Sequence, residues 1–96
     1  YGRMAGIILS SPNADDVFNL GTEMARRDGP LRQIRAQVYG PAPAPIARVR
    51  GRHRVRLLVK VDKAAPLQKA LAAWAAQFRL PTNTRLSIDI DPQSFY

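Results

Sequence analysis

The fold class this 96-residue sequence predicts is α+β: one four-stranded sheet with two helices packed on a single face. Three observations predict it. Apolar and polar residues alternate in "QIRAQVYG", "RHRVRLLVKV" and "TRLSIDID", which is the period of a half-buried strand. Apolar residues recur every three or four positions in "SPNADDVFNLGTEMARRD" and "APLQKALAAWAAQFR", the period of an amphipathic helix. The chain opens on "RMAGIILS", an isoleucine-rich run whose length suits a buried strand and not a helix.

The elements follow in the order βαββαβ. Residues 3–10 form the first strand. In the helix that follows, Ser11 or Asn13 can cap the N-terminus, Asp15 and Asp16 sit in the positive first turn, and Arg26 and Arg27 sit at the negative end. Val17, Leu20, Gly21 and Met24 share its inner face, and Gly29 with Pro30 is expected to stop it. Ile34, Ala36 and Val38 then alternate with Arg35, Gln37 and Tyr39 as a strand. Residues 40–45 alternate proline with small residues and cannot donate a regular ladder, so an extended connector or edge arm is expected there. From Arg52 to Val61 a second alternating strand places Val55, Leu57, Val59 and Val61 on one face and Arg52, Arg54, Arg56, Leu58 and Lys60 on the other. Leu67, Leu71, Trp74 and Phe78 mark the second helix, with Pro66 suited to its first turn and Leu80-Pro81 marking its end. The last strand turns Leu86, Ile88 and Ile90 inward and Arg85, Ser87, Asp89 and Asp91 outward.

Helices long enough to cross over between parallel strands make this order a split-βαβ, ferredoxin-like sandwich. The open face of the sheet should then carry Arg35, Tyr39, Arg54, Arg56 and Lys60. Ile8 breaks the pattern: it points to that open face, which implies that something covers part of it.

Composition narrows the function. Ninety-six residues, 46% of them apolar, suit one globular domain over 1–96. There is no cysteine and one histidine, His53, which excludes disulfides, structural zinc and iron–sulfur clusters from this chain and fits a cytoplasmic setting. No apolar run approaches the roughly 20 residues of a membrane span, and the N-terminus does not resemble a signal peptide. The abrupt start at Tyr1 reads as the edge of an excised piece. The net charge is +8, and its position matters more than its size. Residues 29–61 hold eight of the 15 basic residues and no acid, so the excess charge of the whole chain sits in that third. Such a patch points to a polyanion or an acidic protein surface.

Within the patch lie two combs in succession, "GPAPAP" and then Arg48, Arg50, Arg52, Arg54 and Arg56 at every second position. An extended chain projects those five arginines to one side at a spacing of roughly 6–7 Å, close to the phosphate spacing along one nucleic-acid strand. Edge protection needs one or two charges, not five, so polyanion binding is the stronger reading. Gly51 can bulge and divide the row, and the prolines would hold the first arginines away from the body. Tyr39 is the one candidate for base stacking on this face, and the basic strand has no aromatic residue, which argues against sequence-reading RNA recognition. Chemistry is otherwise sparse. His53 reads as a strand residue, Asp15 and Asp16 as helix-end electrostatics, Asp89 and Asp91 as ion-pair partners, and Trp74 and Phe78 as core. No phosphate-cradling glycine loop occurs, and no catalytic or metal site assembles from these residues.

The segment "GPAPAPIARVRGRHRVRLLVK" resembles the G-P-x-P-A-P, G-R-x-R and hydrophobic-strand series in the C-terminal domain of the PriA (primosomal protein N′) family of bacteria. The opening "YGRMAGIILSS" and the closing "DIDPQSF" are similar to that domain's beginning and to its D-x-D-P ending, so the resemblance spans the chain. It implies a fold like that of ribosomal protein S10, in the terminal domain of a DNA helicase that recognises stalled or repaired replication forks. The ATP, magnesium and zinc sites would lie in the missing part, with no cofactor in this one. It also implies binding of branched DNA and contacts with the helicase core and with the acidic tail of single-stranded DNA-binding protein. By motif, Arg52 and Arg54 are the DNA-facing positions, while Arg35, Tyr39, Arg48, Arg50, Arg56 and Lys60 join them by geometry and charge. Lys63, at the turn before the second helix, is the candidate contact for an acidic peptide. The alternative to DNA binding is a protein-docking face, which Ile8 favours. A ribosomal-protein-like RNA module rests on fold analogy alone.

Overall fold

Alternation in the sequence becomes register in the sheet. A computed structural model describes residues 2–90, with all their side chains except those at positions 45–47 and 49. The strands β1 (Gly2–Ser11), β2 (Gln37–Val49), β3 (Arg52–Asp62) and β4 (Arg85–Ile90) form one antiparallel sheet in the order β2-β3-β1-β4. The helices α1 (Ala14–Arg26), the single turn α2 (Gly29–Arg32) and α3 (Leu67–Ala75) fill the connections. β1 and β2 run the same way with β3 between them, and β3 and β4 run the same way with β1 between them. This is the split-βαβ, ferredoxin-like α+β arrangement. Asp91 and Pro92, the second half of the closing D-x-D-P motif, lie outside the described residues.

The core lies between the helices and one sheet face. Ala5, Ile7 and Leu9 of β1 and Val55, Leu57, Val59 and Val61 of β3 are buried there. Val17, Leu20 and Met24 of α1 and Leu67, Leu71 and Trp74 of α3 close over them. Trp74 is fully buried, and its indole Nε1–H donates to the Met24 carbonyl at 2.9 Å, so the largest side chain brings its polar atom in with a partner and ties α3 to the end of α1. Asn13 is the cap of α1, its Oδ1 accepting from the Asp15 and Asp16 amides at 2.9 and 3.4 Å. The alternative cap, Ser11, is buried, and its Oγ accepts from the Asn13 amide.

Four expectations are corrected. Gly29 and Pro30 do not stop the first helix: α1 has already ended at Arg26, and these residues begin α2, where proline is tolerated because a first-turn amide needs no partner. Arg35 is not in a strand, since it turns at φ 60° and β2 begins at Gln37. α3 ends at Ala75, so Phe78 packs on the core from beyond the helix, edge-on to Trp74 at 6.3 Å.

The fourth correction concerns the proline comb. It lies at the edge as expected but is no free arm, because β2 runs through it paired to β3, with Ala42 opposite Arg56 and Pro43 opposite Val55. An edge strand needs only its inner donors, which is why prolines are tolerated here. The register shifts between Tyr39 and Ala42 and again between Pro43 and Arg48. At the first shift Gly40 takes φ 107°, and a Cβ there would lie 2.7 Å from the Arg56 carbonyl oxygen. Pro41 reaches inward onto α1, where a Cβ at Gly21 would lie 2.8 Å from its ring. The comb is thus seated on the body and holds β2 in place.

Candidate nucleic-acid interface

The sheet has one covered face and one open face, and the register assigns each residue to its side. On the open face β1 places Met4, Gly6, Ile8 and Ser10 opposite Lys60, Leu58, Arg56 and Arg54 of β3. On the far side of β1, Ser10 meets Arg85 and Ile8 meets Ser87 of β4. Tyr39 of β2 lies opposite Leu58. The result is a half-buried apolar centre of Ile8 and Leu58 with basic residues at both ends. Ile8 sits on the open face as its place in the run requires.

The arginine comb does not survive as one row. Arg50 and Gly51 form the tip of the β2–β3 hairpin with φ values of 51° and 77°, the pair of positive angles that a type I′ turn uses. The chain reverses between Arg48 and Arg52, and Arg48 pairs with His53, on the side of the strand opposite Arg52, Arg54 and Arg56. Arg48 is therefore separated from Arg52, Arg54 and Arg56 by the turn that Arg50 helps to form.

The remaining basic residues collect at two places. At the hairpin end, Arg50, Arg52, Arg54 and Arg85 line an open depression of about 400 Å³ with Ser10. Arg52 is half-buried, and its Nη2 donates to the Ser10 carbonyl at 2.8 Å and the Asn83 carbonyl at 2.7 Å, with its Nε near Ser10 Oγ at 3.3 Å. It joins β1, β3 and the loop before β4, so it is a structural clamp as well as a charge. At the other end, Arg35 and Lys60 line a smaller depression of about 260 Å³ with Gln37 and Asp62. Lys60 also places its Nζ 5.8 Å from the centre of the Tyr39 ring, and the Tyr39 hydroxyl donates to Gln37 Oε1 at 2.6 Å. Tyr39 keeps 47% of its surface exposed, but a cation already lies over its ring. Arg56 lies between the two ends. Lys63 is exposed in the turn after β3.

The sequence pattern turns Arg85 outward on its strand and assigns it nothing more. Its role at the depression comes from the β1–β4 register, which sets it beside Ser10 on the opposite side from Arg54. The lone-strand signal available in the sequence was its alternation with Leu86 and Ile88. Among the described residues no three histidine, cysteine or acidic side chains group as a metal site, and no helix is long and apolar enough to cross a membrane.

Comparison with known proteins places this geometry in a family. Replication restart protein PriA of Rickettsia felis is 33% identical over 96 residues, covering 100% of this chain and 14% of that protein. The protein of the same name from Rickettsia conorii is 31% identical over the same span, and that of Haemophilus influenzae is 38% identical over 58 residues. The chain thus spans about a seventh of the Rickettsia relatives' length. A de novo designed protein, Foldit4, superposes with a TM-score of 0.67 over 98% of this chain and 100% of its own at 9% identity, which shows the fold alone. The family model for the primosomal protein N C-terminal domain matches residues 1–93, and it is to this family, the C-terminal domain of PriA, that the chain belongs.

Proposed function

We propose that this chain is a non-catalytic DNA-binding module, the C-terminal domain of a larger ATP-dependent 3′ to 5′ helicase that restarts replication at branched forks in the bacterial cytoplasm. The observation that carries the reading is the open sheet face, with Arg54, Arg56 and Lys60 in line along β3, Arg50, Arg52 and Arg85 at one end and Arg35 at the other. From Arg52 to Lys60 the strand covers about 26 Å at ~3.3 Å per residue, which is about four intervals of the roughly 6–7 Å phosphate spacing along one strand. Contacts of this kind go to phosphates, so they position the domain and carry little sequence preference.

The test is the salt dependence of binding to forked, duplex and single-stranded DNA. With about four or five phosphates neutralised, log affinity for duplex should fall against log salt with a slope of roughly −3.5 to −4.5. Replacing Arg54 and Arg56 with alanine should flatten the slope by roughly two charges' worth, about 1.8, whereas Arg48→Ala, on the other side of the hairpin, should change it little. A slope near zero for the parent chain sinks the reading.

A second reading rests on the half-buried Ile8 and Leu58 at the centre of the same face. Apolar surface ringed by charge suits a protein, either the helicase core of the parent chain or the acidic tail of single-stranded DNA-binding protein, with Lys63 as a further contact. Chemical-shift mapping with an acidic peptide separates the two readings, since docking should move Ile8 and Leu58 as well as the basic side chains.

A further inference from the structure

The depression at the hairpin end is built differently from the rest of the basic face. Four arginines line it and, among the described residues, no carboxylate does; they come from the hairpin tip, β3 and β4, with Ser10 of β1 between them. Ser10 is the direct cross-strand neighbour of both Arg54 and Arg85. Arg54 and Arg85 thus flank one small hydroxyl-bearing residue, two strand spacings or roughly 10 Å apart. The tip departs from a local rule. A type I′ turn favours asparagine at its first central position, and this chain places Arg50 there at φ 51°. A local rule broken beside a depression lined by arginines marks a place where the sequence serves a ligand more than the fold.

Arg52 is fixed before any ligand arrives, because its bonds to the Ser10 and Asn83 carbonyls hold the guanidinium in place. An anion entering the depression would meet the immobilised Arg52 guanidinium, whose Nη2 is held by the two carbonyls, with Arg50, Arg54 and Arg85 around it. Preorganisation of this sort lowers the ordering cost of binding. An internal phosphodiester carries one negative charge and continues past the surface on both sides. A phosphate monoester carries about −1.5 to −2 at neutral pH and presents three acceptor oxygens. Four arginines lining one depression match the second better, and guanidinium donors bind such oxygens with charge-assisted hydrogen bonds.

We infer that the depression formed by Ser10, Arg50, Arg52, Arg54 and Arg85 binds the terminal phosphate monoester of a nucleic-acid strand. The inference rests on the DNA-binding reading of the open face and adds an end-specific contact to it. The test compares a short single-stranded oligonucleotide, labelled internally, with hydroxyls at both ends, with a 5′-phosphate, and with a 3′-phosphate, by fluorescence anisotropy on the 96-residue chain. One of the phosphorylated forms should bind about tenfold more tightly than the hydroxyl-ended form, the gain of one good charge-assisted contact. In Arg85→Gln that ratio should fall to near one. Arg50→Asn should lower it as well while leaving the hairpin at least as stable, so loss in that variant cannot come from unfolding. Thymidine 5′-monophosphate, set against thymidine, should shift the Nε–Hε resonances of Arg50, Arg52 and Arg85. Equal affinity for all three oligonucleotides overturns the end site and leaves the DNA-binding reading standing. Failure of all three to bind overturns both.

Discussion

Arg52 makes the clearest demand on experiment, because structure and sequence motif give it different work. Its guanidinium spans the Ser10 and Asn83 carbonyls, residues 42 and 31 positions away in the chain. Hydrogen bonds from a charged group contribute about 1.5–3 kcal/mol each when partly buried, and the bond to Asn83 is exposed and so counts for less. Arg52→Ala should therefore cost about 2 kcal/mol. For a chain of this size that corresponds to a fall in melting midpoint of roughly 8–16 °C, read by circular dichroism. Arg52→Lys keeps the charge and loses the fork, so it should recover little of the deficit. A midpoint for Arg52→Ala within about 2 °C of the parent chain would refute the clamp and return Arg52 to the surface charges. The result also bears on any binding assay, since a variant that loosens the hairpin loses DNA for a reason unrelated to direct contact.

Three further substitutions test the packing behind the interface. Gly40→Ala adds a Cβ 2.7 Å from the Arg56 carbonyl at φ 107°, and strain plus overlap should cost about 2–4 kcal/mol, measured as a lower urea midpoint. Gly21→Ala should gain up to about 1 kcal/mol of helix propensity in α1, yet its Cβ would meet the Pro41 ring at 2.8 Å, so a net loss of about 1 kcal/mol is expected. Net stabilisation would show that β2 does not rest on α1 there. Thr84 buries its Oγ1 without a hydrogen-bond partner among the described residues, so Thr84→Val should be neutral or stabilising by about 1 kcal/mol, and a loss larger than that would reveal a partner for the hydroxyl.

The fold was legible wherever one physical signal dominated. Val55, Leu57, Val59 and Val61 alternate without interruption, and they are the buried face of β3. Asn13, Asp15, Asp16 and Arg26 mark both ends of α1, and the helix stands between them. Legibility failed where backbone angles carried the information. Arg35 alternates as if in a strand but turns at positive φ, which no side-chain pattern announces. The Arg50–Gly51 turn lacks the asparagine that signals such a hairpin, so the sequence offers a bulge at Gly51 as the break in the row and not the chain reversal that sets Arg48 apart. The prolines suggest an extended connector or edge arm because a proline removes a donor, and only the sheet register shows that the segment is paired as part of β2. Arg85 joined the candidate site through pairing with β1, a contact between residues far apart in the chain.

That distance has a consequence for when the interface comes into being. The depression needs β1, the β2–β3 hairpin and β4 in register, and Arg52 closes onto the loop before β4. Such long-range closures carry the largest entropic cost and slow the step that makes them. As the chain leaves the ribosome, the charged residues of the hairpin emerge before the strand that completes their arrangement. Under the proposed DNA-binding function, a partly made chain attracts nucleic acid through bulk charge alone, and the preformed cradle exists only after β4 has docked. Synthesis of the last strand therefore sets the moment at which attraction becomes recognition.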